Sequence, residues 1–142
     1  MTGSWQFWAA GSALFAALTA IFGKIGVADI DSNLATFLRT IFIVVMLTAI
    51  VAFTGAWQPL NTIPRRTWLF LLLSGLATGA SWLCYYHALK LGPASGVAPI
   101  DKMSVVLVAV AGVLLLGERL SLRNWLGILL MTAGAVLVAL RA

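Results

Sequence analysis

Residues 85–121, YYHALKLGPASGVAPIDKMSVVLVAVAGVLLLGERLS, decide how the chain is read. They hold the end of one apolar segment, a Gly/Pro turn and a second apolar segment. The second segment opens on Pro99, Asp101 and Lys102 and closes on Gly117, Glu118 and Arg119. Its run of valines and leucines suits lipid, yet an acid–base pair leads into it. A charge at the centre of a spanning helix costs roughly 2.5 kcal/mol or more on insertion scales, so the pair requires a physical reason.

The rest of the chain supplies the setting. Of 142 residues, 62% are hydrophobic and only 9% charged, against about 25% charged in a soluble domain. That is too few to cover a water-facing surface. The apolar residues come in long unbroken runs, whereas a spanning strand alternates over about ten residues. The expected fold is therefore all-α: one integral membrane domain over residues 1–142, a bundle of five transmembrane helices with lipid as its surroundings. The net charge of +5 comes from scattered residues with no basic face, so no nucleic-acid partner is expected. Cys84 is the single cysteine, which leaves no intrachain disulfide and no metal cluster; it reads as a small apolar filler. No Lys or Arg precedes Lys24, and the apolar run from Trp5 outlasts a signal core, so the first segment is expected to be retained.

The five segments run over about 5–27, 34–54, 68–89, 97–117 and 124–140. Each approaches the ~20 residues that cross a 30 Å hydrocarbon core. Polar or Gly/Pro breaks separate them, and residues 28–33 supply N-cap candidates for the second helix. Short loops make consecutive helices antiparallel neighbours. On one side the loops carry Arg65, Arg66, Arg119 and Arg123; the other side carries Lys24, Lys90 and Arg141, with Arg39 near that end of helix two. The positive-inside rule favours an inside N-terminus only slightly. Insertion in both orientations and a single N-in topology both fit that weak bias. Packing faces are marked by Ser12, Ala16, Ala20 and Gly23 on helix one, Gly75 and Gly79 on helix three, and Gly127 and Gly134 on helix five.

No nucleophile elbow, phosphate-binding Gly loop or HExxH occurs; neither an enzyme nor a cofactor is expected, and no metal site. The candidates for function are ionisable groups at membrane depth. Lys24, Arg39, His87, Lys90, Asp101 and Lys102 all fall in one half of the membrane if helix directions alternate. Snorkelling to the interface accounts for Lys24 and Lys90 as readily as a site does. Arg39 and the Asp101–Lys102 pair favour a site. Asp101 is placed to neutralise Arg39 or Lys24, and the remaining positive charge to attract an anionic or carboxylate-bearing solute or to make binding sensitive to protonation. Pro99 reads either as an ordinary first-turn proline or as a loosened backbone facing a cavity. On helix three, Ser74, Thr78, Ser81 and Tyr85 share one face, flanked by Trp82 and Tyr86. This is either a pathway wall or an aromatic belt with interhelical hydroxyl bonds. Trp5, Trp8, Trp57, Trp68 and Trp125 lie at segment ends as belt residues.

The run Pro99-Ile100-Asp101-Lys102 entering an apolar helix, followed by Leu116-Gly117-Glu118-Arg119-Leu120-Ser121, resembles the EamA domain of the drug/metabolite transporter superfamily. Lys24 at the end of helix one and Arg39 inside helix two are similar to that domain too. The resemblance covers essentially the whole chain. It implies half of a ten-helix architecture, of the five-helix bacterial or archaeal transporter type, completed by a second, inverted copy. The small multidrug resistance relatives use a glutamate inside helix one; this chain has no carboxylate there, which argues against proton-coupled export of cationic drugs. The expected function is secondary transport of a small polar metabolite by a homodimer in the cytoplasmic membrane. Arg39, Lys102 and Lys24 would hold substrate charge, Asp101 would be counter-ion or proton carrier, and Trp82, Tyr85, Tyr86 and His87 would complete the site. The rivals are a membrane scaffold or accessory subunit, and a lipid-linked sugar flippase.

Overall fold

The computed structural model describes residues 4–140; Arg141, counted above as a topology residue, lies outside them. Six α-helices occur in the order α1 (Trp5–Gly26), α2 (Ser32–Thr54), α3 (Arg65–Leu91), α4 (Ala94–Asp101), α5 (Ser104–Leu115) and α6 (Leu122–Ala139), with no strand among the described residues. Taken together, α4 and α5 make one span over Ala94–Leu115, so five spans are long and apolar enough to cross a membrane. The chain is an all-helical, multi-pass membrane protein.

Helix boundaries follow capping chemistry rather than hydropathy. The α2 helix starts two residues before the apolar run because Asp31 caps it. Asp31 is extended (φ −62°, ψ 138°), and its Oδ1 accepts from the Asn33 and Leu34 N–H groups at 2.8 and 3.2 Å. These are donors that the first helical turn leaves without partners. The α3 helix starts at Arg65, directly after Pro64, so its first turn is polar and hydropathy passes over it. Gly55 ends α2 in the left-handed conformation, φ 65°.

The fourth span differs most from expectation. It begins at Ala94, after Pro93, which puts Pro99 inside the helix and not in its first turn. Pro99 has no N–H to give and crowds the preceding turn. From the next residue on the ladder tightens. Met103 N–H bonds the Ile100 carbonyl, Val105 the Lys102 carbonyl and Val106 the Met103 carbonyl, at 2.9, 3.0 and 3.0 Å. This 3₁₀ turn divides α4 from α5 directly after Asp101, and such turns inside a helix mark hinges or strain.

The contacts divide the chain into two compact units, one made of residues 25–90 and the other of residues 1–24 with 91–142. In the second unit α6 packs mainly on α4 and less on α5. Ala20, Gly23, Gly96 and Gly112 are its buried positions. In the first unit the buried side chains gather where α2 begins and α3 ends: Val27, Ser32, Ala35, Thr36, Tyr86 and Leu89. Elsewhere the large apolar side chains point outward, Phe53 at 92% exposure and Leu115 at 81%. Lipid or a second subunit must cover them. Cys84 is exposed as well, so it does not fill the interior of this chain.

The LGERLS run is a helix-end device. Gly117 adopts φ 69°, and the Glu118 N–H then reaches the Gly112 carbonyl at 3.0 Å. Ser121 caps α6 by accepting from the Asn124 N–H at 3.3 Å. A Cβ on Gly112 would lie 2.7 Å from Glu118 Oε2, so the glutamate folds back over the end of α5. Gly117→Ala should lower stability by about 1–2 kcal/mol through its left-handed backbone. Gly112→Ala should cost clearly less, since the added methyl meets only the movable end of Glu118. Reversible unfolding in mixed micelles, followed by circular dichroism, measures both.

Candidate functional site

The charged residues singled out by sequence divide between the two units. Arg39, His87 and Lys90 belong to the α2–α3 unit; Lys24, Asp101 and Lys102 belong to the other. Each group is built on a helix end or a helix break.

In the α2–α3 unit, Arg39 is seven residues beyond Ser32, about 10 Å along the helix. Its guanidinium carbon lies 4.0 Å from the Trp82 ring centroid and 5.4 Å from that of Tyr86. Both distances are within cation–π range. Tyr86 is buried, at 5% exposure, and Tyr85 packs beside it at 6.3 Å between centroids. Arg39 Nη1 is buried and has no hydrogen-bond partner among the described residues of this unit. Such an orphaned donor costs about 1–3 kcal/mol, and more when charged. Around it run hydroxyls spaced four apart, Ser32, Thr36 and Thr40. Thr36 donates to the Ser32 carbonyl and Thr40 to the Thr36 carbonyl, each at 2.8 Å. Ser32 Oγ lies 3.4 Å from His87 Nδ1, and the Lys90 ammonium donates to the Ile30 carbonyl. These last two contacts, with Arg39 on its rings, join the start of α2 to the end of α3.

Sequence reasoning missed Ser32 and Thr36 as interior groups, both at most 5% exposed. The available signal was their spacing along the face that also carries Arg39. On α3, Ser74, Thr78 and Ser81 are exposed and Tyr85 is half-buried. The Thr78 hydroxyl already bonds the Ser74 carbonyl at 2.9 Å, so that part of the stripe serves its own helix.

In the other unit, Lys24 Nζ donates to the Gly92 carbonyl at 2.8 Å, tying the end of α1 to the turn before α4. Asp101 Oδ2 and Lys102 Nζ form an ion pair at 3.1 Å, with side chains 35% and 57% exposed. A cleft beside this break is lined by Lys102, Met103, Val106, Met131 and Thr132. A broken helix with a charge pair at the break is tolerated at membrane depth where it lines a cavity. Among the described residues no group of three His, Cys, Asp or Glu side chains is placed to hold a metal.

The profile of the EamA-like transporter family matches residues 3–140. The chain belongs to that family. It is 63% identical over 139 residues to an uncharacterized transporter in the cobO 3′ region of Sinorhizobium sp, covering 98% of this chain and 99% of that protein. It is 28% identical over 142 residues to the uncharacterized transporter YxxF of Bacillus subtilis (strain 168), covering 99% of this chain but only 44% of that protein. No solved structure matches. An EamA-like membrane transporter is thus what the chain is; the two charged groups are where its substrate chemistry is sought.

Replacing Arg39 removes a cation–π contact, which is worth about 0.5–2 kcal/mol, and an orphaned charged donor, which costs about 1–3 kcal/mol or more. The second term is the larger. Arg39→Met should therefore raise unfolding stability by about 1 kcal/mol while harming function. A loss of stability on that substitution would mean that Arg39 is a structural group with a partner.

Proposed function

We propose that this EamA-like protein is a secondary transporter that moves a small polar metabolite by alternating access, as a homodimer in the bacterial or archaeal cytoplasmic membrane. The observation that carries this reading is the break in the fourth span, where a 3₁₀ turn follows the Asp101–Lys102 pair. A helix interrupted at a charge pair is a hinge with chemistry attached. It lets the two halves of one span tilt separately, and the pair can open to a solute or a proton.

The relative of which this chain covers 44% supports a two-copy assembly. A chain matching less than half of a longer transporter is suited to pair with its own second copy, and the weak charge bias allows that copy to insert inverted. In this reading Arg39 holds substrate charge in the α2–α3 unit, with Trp82, Tyr85, Tyr86 and His87 as the wall around it. In the other unit Lys24 and Lys102 hold substrate charge, and Asp101 is the counter-ion of Lys102 or carries the coupling proton. The driving force is an ion or solute gradient.

Two measurements test the reading. In proteoliposomes, gradient-driven uptake from a panel of radiolabelled carboxylates, amino acids, amines and polyols should include at least one transported class. Asp101→Asn should slow that uptake by about tenfold or more, the worth of one charge-assisted contact. Reporter fusions at both termini should reveal both orientations in comparable amounts. A single orientation contradicts the inverted pair, and an intact dimer that moves no class contradicts transport.

A further inference from the structure

The surroundings of Arg39 say more about the solute than its charge alone. Two aromatic faces within about 6 Å of one point form the receptor that proteins use for ammonium ligands. Here that place is taken: the guanidinium of Arg39 lies over Trp82 at 4.0 Å and near Tyr86 at 5.4 Å. A cationic solute would meet a filled cage and a like charge.

What remains unmet is a donor. Arginine has five N–H groups and accepts nothing, and Nη1 of Arg39 is buried without a partner in its unit. A buried positive charge is stable only when an opposite charge or good acceptors reach it. Three other donors of this unit are engaged. The Thr36 and Thr40 hydroxyls give their protons to carbonyls of α2, and the Lys90 ammonium donates to the Ile30 carbonyl. The α2–α3 unit thus offers one guanidinium, a single positive charge, whose Nη1 is buried with both of its N–H bonds unpartnered. That matches a single negative charge with a compact acceptor. A phosphate dianion needs more donors and more positive charge.

We propose that Arg39 is the charge receptor for a monocarboxylate, with Trp82 and Tyr86 as positioning residues that hold the guanidinium in place through their ring faces. This rests on the transporter reading above and names its substrate class. The carboxylate satisfies Nη1 and neutralises the buried charge at once, so the protein with solute is better satisfied at this place than the protein alone.

The test uses the purified full-length protein in detergent micelles and sodium benzoate as probe, with benzamide and benzylammonium as neutral and cationic isosteres and phthalate as dianion. Calorimetry should show benzoate binding and clear preference over all three. Arg39→Gln should weaken benzoate by about tenfold or more, and Arg39→Lys by less. Arg66→Gln, which removes a positive charge from the first turn of α3, should leave the affinity within about twofold. Should Arg39→Gln fail to fold, the Arg39→Lys variant and the ranking of the four probes on the native protein still decide. Equal binding of benzamide, preference for benzylammonium or phthalate, no benzoate binding, or unchanged affinity in a folded Arg39→Gln variant overturns the proposal. Flux separates it from the transporter reading. Uptake of a neutral or cationic solute without benzoate binding leaves transport standing and removes the monocarboxylate. Arg39-dependent benzoate binding with no flux of any solute does the reverse.

Discussion

A polar group inside a bilayer has no water to turn to, and the chain must supply its own partners. This constraint governs nearly every specific contact in the protein. The Lys24 and Lys90 ammonium groups go to the Gly92 and Ile30 carbonyls. Thr36, Thr40, Thr78 and Thr132 give their hydroxyl protons to the carbonyl one turn back in their own helices. Asp101 and Lys102 pair with each other. Against that background the buried Nη1 of Arg39 stands apart, since aromatic faces attract its charge but accept no hydrogen bond in the guanidinium plane. The cost of an unmet donor is tolerated where a ligand meets it, which is why stability and function are expected to diverge at this residue.

The same constraint gives meaning to the fourth span. A regular helix satisfies its own backbone. Pro99 interrupts that, and the chain recovers through shorter i→i−3 bonds directly after Asp101. The result is two half-spans joined at an acid–base pair. Hydrophobic packing alone gives no reason for such a break, because α5 is valine, leucine and alanine almost throughout and would continue any helix it joined. Among the described residues few side chains are fully buried, and of the large ones only Val27 and Leu89 reach zero exposure. A bundle with so small an interior relies on lipid and a second subunit to cover its outward apolar faces.

The spans and the breaks between them were legible in sequence, because long apolar runs and Gly/Pro/Asp turns report directly on lipid and on caps. Gly117 and Ser121 stood out in sequence only within the run that resembles the family, and the structure assigns each a job: one left-handed stop, one N-cap. Helix starts were misplaced wherever the first turn is polar, as at Ser32 and Arg65. The cap and not the apolarity decides where hydrogen bonding begins. Pro99 was misjudged for the same reason, since Gly92 to Gly96 reads as a turn although α4 is already running by Ala94. At the candidate site, residue types were visible but partners were not. That Arg39 lies on Trp82 and Tyr86 depends on the register between α2 and α3, which no spacing within one helix specifies.

The central claim is that these polar groups face a water-filled path and are not charges sealed in lipid for packing. Ser81 lies on the exposed polar stripe of α3, next in sequence to the tryptophan under Arg39. The decisive measurement is the reactivity of Ser81→Cys, in a Cys84→Ser background, toward charged membrane-impermeant thiol reagents in sealed vesicles. The account predicts that the thiol is modified by such reagents. Modification by a lipid-soluble maleimide alone, with none by the charged reagents, would contradict it.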